Sequence, residues 1–145
     1  MAEQQKFTVD LPEGISREER LIIADLIIEH IVDRTQKGRD KFGKKFPPYS
    51  KGYIKSLDFE IAGKSKNKVD LQLSGDMLAA ISLLKDRRDR LEIGFKKSDP
   101  DENARAEGNI LGSYGGEPNE KRARDFLGIS EVELRKIIQE VVGDG

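Results

Sequence analysis

Residues 16–38 read SREERLIIADLIIEHIVDRTQKG, and the rest of the fold is read outward from them. Ser16 and Glu19 stand at the spacing of a capping box. There the serine hydroxyl accepts the N–H three residues on, and the glutamate reaches back to the serine N–H. Glu18 and Glu19 also lie where the helix dipole favours negative charge. The pattern predicts a helix from about Arg17 to about Lys37, stopped by Gly38. Nine of the twelve residues from Leu21 to Val32 are apolar. Asp25, Glu29, His30 and Asp33 share one arc of the helical wheel, but Ile22 and Leu26 fall in that arc one or two turns earlier. The first half of the helix is therefore apolar nearly all round. Such a helix is buried at the centre of its domain, or a neighbouring subunit completes one of its faces.

Upstream, KFTVDL (6–11) alternates weakly, as a short strand would, and Pro12 and Gly14 break the pattern. Downstream, residues 34–55 hold eight Lys or Arg against one Asp, with Phe42, Phe46, Tyr49 and Tyr53 among them. They read as a long basic loop, from which a short helix runs from about Ser50 to Ile61. GKSKNK (63–68) is a polar turn. Val69, Leu71 and Leu73 alternate with Asp70 and Gln72, the signature of a half-buried strand. Ser74-Gly75-Asp76 opens a short helix. A hairpin follows, with strands 81–85 and 90–96 around the charged turn Asp86-Arg87-Arg88-Asp89. Ser98-Asp99-Pro100 starts a helix over about 101–111, and 112–119 is a glycine-rich loop. Ser130 and Glu133 form a second capping box. Leu134, Ile137, Ile138 and Val141 behind it make an amphipathic stripe ended by Gly143. The fold class expected is α+β. A small antiparallel sheet from 69–73, 81–85 and 90–96 is packed by the long N-terminal helix and the C-terminal helix. Residues 1–145 form one domain, with 1–15 as an N-terminal arm, 34–55 as a basic loop and 112–123 as a flexible loop.

Composition removes several classes of function. The chain of 145 residues has a formal net charge of −1 and contains no cysteine. It can build no disulfide framework, thiolate metal site or cysteine nucleophile. With His30 as its single histidine, the usual histidine-rich zinc site is out of reach. No apolar run approaches the ~20 residues of a membrane span. MAEQQKFTVD lacks the basic and apolar regions of a signal peptide. His30 reads as an ordinary helix histidine, because no spacing supplies an orienting group or a nucleophile. Asp25, Glu29 and Asp33 extend over ~11 Å, too far for one metal ion. They read as a solvated face or as a docking face for a basic neighbour. The basic segment with its aromatics has the makings of a phosphate contact, though the chain's near-neutrality argues against a dedicated nucleic-acid binder. Gly112-Ser113-Tyr114-Gly115-Gly116 lacks the lysine and spacing of a phosphate loop. No catalytic residue, cofactor site or metal site is expected, and the chain is not expected to be an enzyme.

Three ordered segments carry a resemblance. They are Phe46-Pro47-Pro48-Tyr49-Ser50 with Tyr53, Leu71-Gln72-Leu73-Ser74-Gly75-Asp76-Met77-Leu78, and Arg124-Asp125-Phe126-Leu127-Gly128-Ile129-Ser130. Ile93-Gly94-Phe95 and Ala104 to Asn109 fall between the last two. Together they resemble the tailed-phage virion-morphogenesis family, the tail-completion and head–tail connector proteins of the Mu G and P2 S kind, over about residues 43–142. The first 40 residues carry no motif of that family. The resemblance implies a structural protein of the virion neck or tail, made in the host cytoplasm. It would assemble as a ring, a hexamer or dodecamer, and contact adjacent connector and tail proteins. It implies no cofactor and no membrane. A tail terminator that stops tube growth is the neighbouring alternative. A DNA-contacting accessory protein using 34–55, against passing DNA, is the alternative of another class.

Ring assembly calls for two different patches on one protomer. Residues 34–55 are basic, and residues 98–145 hold eleven Asp or Glu against six Lys or Arg. The expected interface comprises Ile22, Leu26, Asp25, Glu29, Asp33, Arg34, Lys37, Arg39, Lys41, Lys44 and Lys45. The family-like residues Pro47, Tyr49, Ser50, Tyr53, Ser74, Gly75, Asp76, Arg124, Phe126, Leu127, Gly128 and Ser130 are expected to be structural.

Overall fold

A computed structural model describes residues 3–47, 75–112 and 123–143. The chain folds as an α+β domain. In chain order the elements are β1 (Lys6–Asp10), α1 (Arg17–Gln36), α2 (Gly75–Ala79), β2 (Ser82–Asp86), β3 (Arg90–Gly94), α3 (Pro100–Leu111) and α4 (Glu131–Val142). The strands form an antiparallel sheet in the order β1-β3-β2.

The expected strand 69–73 lies outside the described residues, as do the helix at 50–61, the turn at 63–68 and Ser113–Asn119. The third strand of the described sheet is instead 6–10, from the stretch expected as an arm. The reason is register. Phe7 stands opposite Ile93 and Val9 opposite Leu91, so even a weakly alternating strand adds apolar side chains to the face that β3 already presents. Leu11 and Ile15 continue that burial, and the Leu11 N–H donates to the Asp89 carbonyl at 2.8 Å.

The hairpin is also displaced from its simple reading. Leu83 pairs with Ile93 but Lys85 pairs with Glu92, which makes Leu84 an extra residue in a β-bulge. The bulge restores Asp86 to the face that carries Leu83. There Asp86 meets α1, and Arg20 Nε donates to its carboxylate at 2.7 Å. That hydrogen bond is the main cause holding the Asp86 carboxyl below its ordinary pKa. The turn closes with Arg88 in the left-handed region, φ 69°. On the sheet's outer face Glu92 lies buried between Lys6 Nζ (3.0 Å) and Arg87 Nε (2.9 Å), which lower its pKa.

Helix α1 begins as predicted. Ser16 Oγ accepts the Glu19 N–H, and Glu19 Oε1 accepts the Ser16 N–H at 3.0 Å. It ends at Lys37, and Gly38 follows at φ 79°. The helix is not enclosed at the domain's centre. It buries Ile23, Ala24, Ile27, Ile31, Arg34 and Thr35 on one face, while Leu21 (39% exposed) and Ile22 (50%) remain at the surface. The sheet and α4 occupy only one side of it. The core joins that face to Leu91, Ile93, Phe95, Met77, Phe126 and Ile137. Phe95 and Phe126 meet edge-to-face at 6.4 Å between ring centroids.

Two polar side chains bind the periphery to the core. Asn103 of α3 is 2% exposed. Its Oδ1 accepts the Gln5 N–H at 2.7 Å, and its Nδ2 donates to the carbonyls of Lys96 (2.8 Å) and Asp99 (3.0 Å). The start of β1, the exit from β3 and the start of α3 are thereby tied together. Ser130 Oγ accepts the Glu133 N–H at 3.3 Å and caps α4.

Candidate functional site

Two surfaces flank α1. One is the turn that leaves its C-terminal end, and the other is the outer face of the helix itself.

The turn is built around Asp40. Its Oδ1 accepts the N–H groups of Phe42 and Lys44, each at 2.9 Å. The Gly43 N–H reaches the Asp40 carbonyl (2.9 Å), and the Asp40 N–H reaches the Lys44 carbonyl (2.8 Å). Gly43 supplies the positive φ of 86° that the reversal requires. Arg39 bridges to Lys45 through the backbone, its guanidinium donates to the Gly43 carbonyl at 2.8 Å, and the Phe46 N–H reaches the Gly38 carbonyl. One short aspartate thus offsets the backbone frustration of a segment otherwise rich in like charge.

Residues 125–128 fix this turn to the body. The Lys41 N–H donates to the Asp125 carbonyl at 3.0 Å, and Lys41 Nζ pairs with the Asp125 carboxylate at 2.9 Å. Gly128 lies against Lys41. An added Cβ there would come within 2.9 Å of Lys41 Cδ, so a larger residue would make the lysine stem shift. Phe46 is buried at the turn's root. At its tip Phe42 is 70% exposed, with Lys41 Nζ 5.3 Å from the ring centroid.

Arg34 sits beneath the turn and corrects an expectation. Expected at an interface, its side chain is buried, with Nη1 donating to the Gly128 carbonyl at 2.9 Å and Nη2 to the Phe126 carbonyl. The stripe Ile23, Ile27, Ile31 continues onto residues 34 and 35, which places Arg34 on the packed face. Burial pushes its pKa down to about 10, opposed by Asp40 and Asp125, so the guanidinium is charged at neutral pH. The sequence carried this signal in the helical spacing, but the basic composition of 34–55 masked it.

The other expected interface residues divide. Leu26 packs against the core, and Lys41 is engaged with Asp125 in the same chain. The basic segment and the acidic C-terminal part thus meet at this pair within one chain. Ile22, Asp25, Glu29, Asp33, Lys37, Arg39, Lys44 and Lys45 are exposed. His30 is half-buried. Burial is the first cause lowering its pKa and Arg34 the second, while Glu133 and Asp33 act in the opposite sense.

Among the family-like residues, Phe126 and Leu127 are buried in the core, and Gly128 and Ser130 hold the positions described above. The Arg124 N–H donates to the Asn109 carbonyl at 2.6 Å. Gly75 opens α2, and Pro47 is half-buried. Tyr49, Ser50, Tyr53 and Ser74 lie outside the described residues, as does the Asp76 side chain. Among the described residues no group of three His, Asp or Glu side chains is placed to hold a metal ion, and no helix is long and apolar enough to cross a membrane. No motif in the sequence marks Asn103. An asparagine at the end of the first turn of α3, on the face shared with Ala106, is the available signal.

Comparison with known protein families, with curated proteins and with solved structures finds no match to this chain.

Proposed function

We propose that the chain is a structural protein of a tailed-phage particle, acting at the head–tail junction as a ring component that joins or caps the tail. The ordered resemblance of three segments to tail-completion proteins motivates this reading. The observation that carries it furthest is the part Arg124–Ser130 takes in the fold. Two of these residues enter the core, two of their carbonyls hold Arg34, and Asp125 holds Lys41. The segment that resembles the family is thus the anchor of an exposed, preformed turn. A rigid turn presented at the surface suits recognition by shape and charge, because little ordering entropy is lost on docking.

The reading is tested in particles produced with and without the chain. The expected result is its presence in purified particles by peptide mass spectrometry. Deletion of its coding sequence should leave filled heads and finished tails unjoined in electron micrographs. Infectious particles that form without it would refute the assignment.

A further inference from the structure

We infer that the Phe42 turn of one copy docks on the outer face of α1, around Leu21 and Ile22, in a second copy. This contact presupposes the ring assembly proposed above and names the surfaces that would make it.

The two surfaces match in two independent respects. At the turn an aromatic ring, 70% exposed, stands among the exposed cations Lys37, Arg39, Lys44 and Lys45. Asp40, the acidic residue among them, spends its carboxylate on the N–H groups of the turn. On α1 the apolar pair Leu21 and Ile22 is exposed among Glu18, Asp25 and Glu29, with Asp33 further along and Arg17 as the basic exception. An apolar knob ringed by positive charge thus faces an apolar seat ringed by negative charge. An interface with a buried apolar centre and a charged rim has this layout.

A single chain cannot satisfy itself in this way. Ile22 precedes the end of α1 by about 21 Å of helix axis, and the turn beyond that end is fixed to Asp125. Knob and seat are different patches of one protomer, so the contact can repeat head-to-tail from copy to copy. It closes a ring if the rotation between copies closes. The turn is held by its own hydrogen bonds before any partner arrives, so the knob is preorganised.

The absence of cysteine makes the test direct. Phe42→Cys and Ile22→Cys, each made alone and then mixed, should give a disulfide-linked dimer of one of each on a non-reducing gel. Neither variant alone should give that product at comparable yield. In parallel, Lys44→Glu with Lys45→Glu reverses the knob, and Asp25→Lys with Glu29→Lys reverses the seat. All four positions are exposed, so folding is checked simply by matching circular dichroism. Each charge-reversed protein alone should self-associate at least tenfold more weakly than the original chain in sedimentation equilibrium. An equimolar mixture should recover association, because every contact in an alternating array is again between opposite charges.

A mixture that does not recover would overturn the contact. So would a chain that stays monomeric at its highest soluble concentration, or one that assembles without the 42–22 cross-link. If the reversed knob loses salt-sensitive binding to a duplex oligonucleotide while self-association is unchanged, the turn serves nucleic acid and the contact fails. The outcome for the neck assignment is separate. A chain missing from particles despite the cross-link refutes the neck, whereas a chain found in particles but joined elsewhere refutes only this contact.

Discussion

Replacing Arg34 by Ala isolates the anchor. The substitution removes a buried guanidinium that donates to two carbonyls, those of Phe126 and Gly128, in residues that are themselves buried. Each carbonyl left without a donor costs about 1–3 kcal/mol. Removing the aliphatic stem leaves a cavity, which adds to the loss. Against this stands the relief of no longer burying a charge, the same desolvation that draws the Arg34 pKa down to about 10. The Nε, buried without a partner among the described residues, adds to that relief. The balance is a net loss of about 3 kcal/mol, a large share of the ~5–15 kcal/mol that holds a typical domain together. In urea, with a slope of about 1–3 kcal/mol/M for a small protein, the unfolding midpoint should fall by roughly 1–3 M. Circular dichroism at the helix band, with the slope fitted freely, is the assay. Arg34→Met separates the two contributions, since it keeps the volume of the stem and loses both donors. It should recover the cavity cost alone. A midpoint for Arg34→Ala within about 0.3 M of the parent, at unchanged slope, would refute the reasoning and make the anchor a bystander.

Three further outcomes are expected. Gly94→Ala should destabilise by about 1–3 kcal/mol or more, because the new Cβ would press on the Gln5 carbonyl and on Lys6 Cα and Cβ. Hydrogen exchange at the Phe95 amide, which donates to Gln5, should accelerate more than at α4. Asn103→Ala should cost about 1–3 kcal/mol by leaving three part-buried backbone groups without their partner, and Asn103→Asp should cost more, since a carboxylate oxygen then opposes the carbonyls of Lys96 and Asp99. For His30 the folded pKa lies below the unfolded value near 6.5, so the unfolded chain binds the proton more readily. Stability should therefore fall as pH drops from about 7 through the folded pKa. His30→Gln should flatten that part of a melting-temperature profile, and an unchanged slope would count against the assignment. The ion-paired carboxyls of Asp86 and Glu92 have lowered pKa values, so their protonation belongs to more acidic conditions.

The parts of the fold legible in the sequence are those set by local rules. The Ser16–Glu19 box and Gly38 bound α1 to within a residue, and Ser130 with the Leu134–Val141 stripe placed α4. The hairpin was legible because charge concentrates in its turn. Its interior was not, because no local pattern marks the bulge at Leu84, which brings Asp86 to the face where Arg20 meets it. β1 was visible as a strand but not as a sheet member. Its place comes from a free edge of β3, which no local pattern encodes. Arg34 shows the same limit at the candidate site. Composition averages over neighbours, and one residue of a basic run can face inward while the next ones face water. The exposed seat at Leu21 and Ile22 was half legible. The helix had more apolar residues than one packed face can use, and the structure shows which of them remain outside.

A charged anchor under a charged turn has a consequence for specificity. An apolar residue at position 34 would pack as well and would cost no desolvation, but it has no donors for the carbonyls of Phe126 and Gly128. The planar guanidinium fork meets both at once and so fixes the direction in which residues 125–128 run. Those residues in turn hold Lys41, and Lys41 holds the turn that carries Phe42. Stability and surface presentation are therefore coupled through one side chain. The buried cation thus contributes, through residues 125–128 and Lys41, to where the exposed knob is held. For the contact between copies inferred above, that division matters. Surface residues are free to suit the partner, and the geometry in which they are offered is set where no partner reaches.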